Sequence, residues 1–134
     1  MVVAPTALLG GSTYHYMFGI NEKVDISRAR LAEVKECLNG MDYIFLDEVS
    51  MLSCHDLHNI RKHLCMLINN DKVFSGMNFV FARDFAQLPS VIGGEHASLY
   101  SLSAGQNPTS ITGQETALGK THWHQVNTIV MYLA

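Results

Sequence analysis

Apolar positions along the chain fall into short unbroken runs separated by stretches of helical spacing. Met1 to Ala4 is a brief apolar, β-branched run ended by Pro5, the pattern of a buried strand that stops at a turn. Gly10, Gly11 and Ser12 then lead into Thr13–Ile20, which reads as a short helix with Tyr16, Met17 and Ile20 on its faces. Ser27 is placed to cap a helix running to Leu38. There Leu31, Val34 and Leu38 recur at i, i+3 and i+7, and Asn39-Gly40 supplies the stop. Asp42 to Glu48 has a continuously apolar centre, as expected of a strand buried on both faces of a parallel sheet. Ser53 is placed to cap the next helix, with Leu57, Ile60, Leu64 and Leu67 on one side. Met77 to Ala82 is a third strand and Val126 to Leu133 a fourth. Residues 93–119 are rich in Gly, Ser, Thr and Ala, which predicts a long, flexible surface excursion with at most a short helix. Strands alternating with helices predict one α/β domain over residues 1–134 with a mainly parallel sheet.

Composition narrows this only slightly. The 134 residues are 48% hydrophobic and 16% charged, ordinary for one globular domain and too apolar for wholesale disorder. A formal net charge of −3 argues against a chain that coats nucleic acid by bulk charge, though not against a local basic strip. The three cysteines, Cys37, Cys54 and Cys65, form no C-x-x-C, which favours a reducing, intracellular setting over a disulfide framework. Residues 1–21 carry no charge, but Pro5, Gly10, Gly11 and His15 interrupt the apolar run. Neither a signal peptide nor a membrane span fits, and no membrane partner is expected.

The sharpest chemical signal is Ile44-Phe45-Leu46-Asp47-Glu48, where two adjacent carboxylates follow an apolar strand. Ligands of open α/β sheets bind at the carboxyl ends of strands. Adjacent acids there can divide labour, one holding the Mg²⁺ of a nucleotide and the other orienting the attacking water. The plain alternative is a strand ending in a solvated acidic turn. Asp84-Phe85-Ala86-Gln87-Leu88-Pro89 is a second polar segment just past a predicted strand. An amide such as that of Gln87 both donates and accepts, so it suits a terminal phosphate or a water beside it.

Taken in order, these motifs resemble the first RecA-like domain of the petite-integration-frequency type of superfamily 1B DNA helicases, which are also found fused in Helitron transposons. Val2 to Thr6 is similar to the start of motif Ia, and Gly11 to His15 with Phe18-Gly19-Ile20 to its continuation. Ile44 to Met51 is similar to the Walker B motif, and Asp84 to Val91 to motif III. Leu99-Tyr100-Ser101 and Leu118-Gly119-Lys120 with Trp123 to Val126 resemble the segment leading to motif IV. The resemblance runs over nearly the whole chain.

It implies a partial RecA-like, three-layer α/β domain of a 5′-to-3′ translocase. Such an enzyme couples ATP hydrolysis to DNA unwinding in repair, recombination or telomere maintenance, in the nucleus or a mitochondrion. By the same resemblance Asp47 would coordinate Mg²⁺, Asp84 would stand with it on the ATP side, Glu48 would activate water, and Gln87 would sense the γ-phosphate. Pro5 and Thr6 would lie against single-stranded or forked DNA, with Thr13, His15 and Phe18 supporting that surface. Core packing is the simpler expectation for Phe18.

The pattern also departs from the family. No G-x-x-x-x-G-K-S/T occurs among the 134 residues, so the phosphate-cradling loop and its lysine are not in this sequence. Relative to the family, the sequence starts at motif Ia and stops before the motif IV arginine. The expected sheet therefore lacks the phosphate-loop strand, and the last strand is expected to slide in beside the motif III strand or to leave an associating edge. Arg83 stands where the family has Gly. Two functions follow: a helicase segment working with the remaining parts, including in trans, or a non-catalytic remnant that is inert or a weak binding module. No zinc-like spacing occurs among the seven histidines. His55, His58 and His63 are expected on a solvated helix face, and Cys37 and Cys65 as packed thiols. No G-x-S-x-G elbow is present.

Overall fold

The computed structural model describes residues 13–18, 20, 27–68, 72–83, 98–102 and 109–131. The chain divides into two compact units, one formed by residues 1–50 and 59–88 and the other by residues 51–58 and 89–134. The expected strand at Met1–Ala4 lies outside the described residues.

In the first unit, helix α1 spans Tyr14–Phe18 and helix α2 spans Arg28–Leu38. Thr13 caps α1, its Oγ1 accepting from the Tyr16 N–H at 3.2 Å. Ser27 caps α2 as its sequence position predicts, accepting from the Arg30 N–H, and Gly40 at φ 79° follows the Asn39 C-cap. Of the predicted apolar face of α2, Val34 and Leu38 are buried.

Strand β1 is Tyr43–Leu46 and strand β2 is Asn78–Phe81. They pair in parallel, Tyr43 opposite Asn78 and Leu46 opposite Phe81. A strand buried on both faces was the expectation here, and the structure corrects it. Ile44 and Leu46 are buried, whereas Tyr43 and Phe45 are 69% and 57% exposed. One side of the sheet is covered and the other carries no covering layer among the described residues. The result is a mixed helix–strand fold with a small parallel sheet.

The approach to β2 is conformationally costly. Phe74, Ser75 and Gly76 take φ of 46°, 57° and 75° in succession, a left-handed turn that non-glycine residues enter at about 1–2 kcal/mol each. Burial of Phe74 against Phe79 and Phe81, with ring centroids 4.7 and 5.9 Å away, offsets that cost. Ser75 also donates to the Cys65 sulfur at 3.5 Å. A cleft of about 680 Å³ touches Met41 and Met77, just ahead of the two strands, and so lies at the end of the sheet away from the acid pair.

Helix α3, Cys54–Ile68, begins in the second unit and continues in the first. Ser53 caps it reciprocally: its Oγ donates to Asp56 Oδ2 at 2.7 Å and accepts from the Asp56 N–H at 3.1 Å. Leu57, Ile60, Leu64 and Leu67 are buried, as their spacing predicts.

In the second unit, the end of the segment expected to be an excursion is helical. Residues Ile111–Trp123 form helix α4, thirteen residues long, with Ser110 accepting from the Gly113 N–H at 3.0 Å. Gly119 lies against the Cys54 carbonyl, where a Cβ would collide with backbone. Lys120 Nζ donates to the Leu99 carbonyl. The Cys54 thiol donates to the Ser98 carbonyl at 3.4 Å, and burial pushes its pKa up.

The fourth expected strand does not form among the described residues. Residues 126–131 have no regular structure, the sheet holds β1 and β2, and Ile129, Val130 and Met131 are exposed. A β-prone sequence without a ladder partner has nothing to hold it extended in a sheet. No helix among the described residues is long and apolar enough to cross a membrane.

Candidate functional site: an acid pair at a strand end

The carboxyl ends of β1 and β2 are tied together by backbone bonds. The Ala82 N–H donates to the Leu46 carbonyl at 2.9 Å, and the Val49 N–H donates to the Ala82 carbonyl at 3.0 Å. Between these two bonds the chain must turn through Asp47 and Glu48. It does so by placing Glu48 at φ 51°, in the left-handed region, with Asp47 Oδ1 accepting from the Glu48 N–H at 2.9 Å. Val49 and Ser50 are buried immediately afterwards. Asp47 and Glu48 therefore stand, half-exposed, on a hydrogen-bonded turn at the carboxyl end of β1. A non-glycine residue in this conformation persists only where surrounding bonds over-determine it, and such positions cluster at functional sites.

Arg83 follows Ala82 directly, two residues past the end of β2, and is half-buried. Asp84 and Gln87 lie outside the described residues, as do Pro5 and Thr6. The pair offers hard oxygen donors. Mg²⁺ needs only one or two carboxylates beside waters and phosphate oxygens, so the donor set at Asp47 and Glu48 fits that ion. No group of three or more His, Cys, Asp or Glu suited to a metal occurs among the described residues.

Of the residues expected to face nucleic acid, His15 and Phe18 lie on α1 and Thr13 directly precedes it. Thr13 caps the helix and His15 is exposed. Phe18 is fully buried, which is the core-packing arrangement: its ring anchors α1. Sequence reasoning passed over the neighbour of His15. Tyr16 is 61% exposed, and the Arg30 guanidinium lies 4.1 Å from its ring centroid. Arg30 Nη2 also donates to the Tyr16 carbonyl at 2.6 Å, and Nη1 pairs with Glu33 at 2.8 Å. The hydrogen bond to Glu33 raises the Arg30 pKa further. Fourteen residues separate the partners, and no local spacing signals the contact.

The expected histidine face is also corrected. His55 Nε2 lies 2.8 Å from Glu115 Oε2, and the His58 ring stacks on that of His122 with centroids 5.9 Å apart. His63 is half-buried, and desolvation, then Lys62, lowers its pKa, while a hydrogen bond with the Phe18 backbone opposes the shift. These side chains meet packed neighbours because residues remote in sequence cover the helix. Cys37, expected to pack, is exposed on α2.

Comparison with known proteins adds an independent line. The sequence profile of PIF1-like helicases matches residues 2–107. The chain is 33% identical over 89 residues to the ATP-dependent DNA helicase Pif1 of a Psychrobacter species, covering 62% of this chain and 14% of that protein. It is 32% identical over 89 residues to the ATP-dependent DNA helicase RRM3 of Saccharomyces cerevisiae, covering 62% of this chain and 12% of the relative. The chain thus spans less than a sixth of the length of these two relatives. No solved structure gave a significant match. Motif order, the acid pair at the end of a parallel strand and the extent of the profile match agree, and the chain belongs to the PIF1-like helicase family.

Proposed function

We propose that the chain is a segment of an ATP-dependent, 5′-to-3′ DNA helicase, part of a RecA-like domain whose acid edge serves ATP hydrolysis. The observation that carries this reading is the Asp47–Glu48 turn: two carboxylates held at the carboxyl end of β1 by a left-handed Glu48 and by the Ala82 bonds. Asp47 is the residue to hold Mg²⁺, and Glu48 the one to orient and deprotonate water. Mg²⁺, when bound, supplies charge neutralisation at the phosphates. Asp84 and Gln87 complete the nucleotide side in this reading. Pro5, Thr6, Thr13 and His15 serve single-stranded or forked DNA, with Phe18 holding α1 in place. The reading extends to DNA repair, recombination or telomere maintenance and to an intracellular setting, nuclear or mitochondrial.

A second reading, a non-catalytic remnant, is favoured by one observation: Arg83 stands directly before Asp84, where the family that the sequence resembles has Gly. Titration calorimetry separates the two. Under the helicase reading, ATP gives saturable heat with Mg²⁺, and Asp47→Asn weakens it. Under the remnant reading, millimolar ATP gives no heat with or without Mg²⁺.

A further inference from the structure

We infer that Tyr16 is a base-stacking contact for single-stranded DNA, its ring held in position by Arg30; this rests on the DNA-binding part of the reading above and adds a residue to it. Helix α1 is five residues long, too short to persist alone. Two remote attachments hold it. Phe18 is fully buried, and Arg30 donates to the Tyr16 carbonyl from the first turn of α2. The result is a large aromatic side chain on a fixed backbone, 61% exposed. Leaving such a ring in water forgoes its burial.

The Arg30 guanidinium 4.1 Å from the ring centroid restricts the ring further, so the entropy of ordering is lost before a ligand arrives. Arg30 Nη1 is engaged by Glu33 at 2.8 Å and Nη2 by the Tyr16 carbonyl at 2.6 Å, which leaves it fewer donors for a phosphate. The arrangement thus favours contact with a planar base over contact with backbone charge. Every base presents a π-face, so this contact tolerates sequence, as a translocating enzyme requires. The other exposed aromatics among the described residues are built differently: Tyr43 and Phe45 stand on the uncovered face of the sheet, and Tyr100 meets the Trp123 ring edge-on at 5.4 Å.

The test is fluorescence anisotropy of a labelled oligothymidine strand titrated with the purified chain, with circular dichroism to confirm that each variant keeps its helix content. Tyr16→Phe keeps wild-type affinity, whereas Tyr16→Leu weakens binding roughly tenfold. The wild-type to Tyr16→Leu ratio stays constant as salt is raised, because stacking releases no counterions. Wild-type affinity in Tyr16→Leu overturns the inference and leaves the DNA reading standing. A ratio that collapses with salt also overturns it, since the contact is then ionic. Absence of binding by the wild-type chain overturns both.

Discussion

Glu48 combines the residue type that the chemistry calls for with a backbone conformation that its side chain disfavours. At φ 51° a non-glycine residue carries a cost of about 1–2 kcal/mol, here held by the Asp47 Oδ1 bond and the Ala82 bonds on either side. Glu48→Gly removes the side chain's conflict with the backbone while adding backbone entropy to the unfolded chain. It is therefore expected to leave stability unchanged or raise it by up to ~1 kcal/mol in urea unfolding, while removing the carboxylate. Clear destabilisation by this substitution would show that Glu48 is a structural residue.

His63 supplies a pH dependence whose sign follows from burial. Its pKa in the folded chain lies below the ordinary 6.5, so the unfolded chain takes up the proton more readily. Its contribution to stability is complete above the unfolded value and is lost as pH falls through the folded value. Thermal midpoints measured from about pH 7.5 down to about pH 5.5 should fall less steeply in His63→Gln than in the wild type. Identical slopes would mean that His63 does not govern that window.

At the scale of elements, the legible parts are those whose causes are local. Ser27, Ser53 and the spacing of Leu57, Ile60, Leu64 and Leu67 mark α2 and α3 because capping and amphipathic periodicity act within a few residues. Helix α4 is hidden for the opposite reason. Only Gly119 and His122 are buried along it, so it has little apolar periodicity, and its contact is the Cys54 carbonyl, sixty-five residues earlier in the chain. Gly119 costs helix propensity of about 1 kcal/mol against Ala, yet the close approach requires it. Gly119→Ala should therefore destabilise the chain by ~1–3 kcal/mol in spite of the propensity gain. A more stable Gly119→Ala would show that α4 does not rest on Cys54. Residues 126–131 make the converse case: their β-branched composition reads as a strand, but strand propensity is realised only beside a ladder partner.

At the scale of the whole molecule, the family and the acid edge were both legible, because each rests on an ordered string of motifs. The left-handed turn at Glu48, the Arg30–Tyr16 stack and the His58–His122 stack were not, since backbone strain and long-range pairing leave no mark on spacing. Ile44 and Leu46 are buried on one side of the sheet, while Tyr43 and Phe45 mark a side for which the described residues provide no layer. That a small parallel sheet should still present two carboxylates on a fixed turn is what the helicase reading needs and the remnant reading does not.

The measurement that bears on this most directly is calorimetric titration of the chain with ATP, with and without Mg²⁺, in the wild type and in Asp47→Asn. Saturable heat that requires Mg²⁺ and falls in the variant is the expected result. No heat at millimolar nucleotide, or equal heat in both proteins, would contradict a nucleotide site at the Asp47–Glu48 edge.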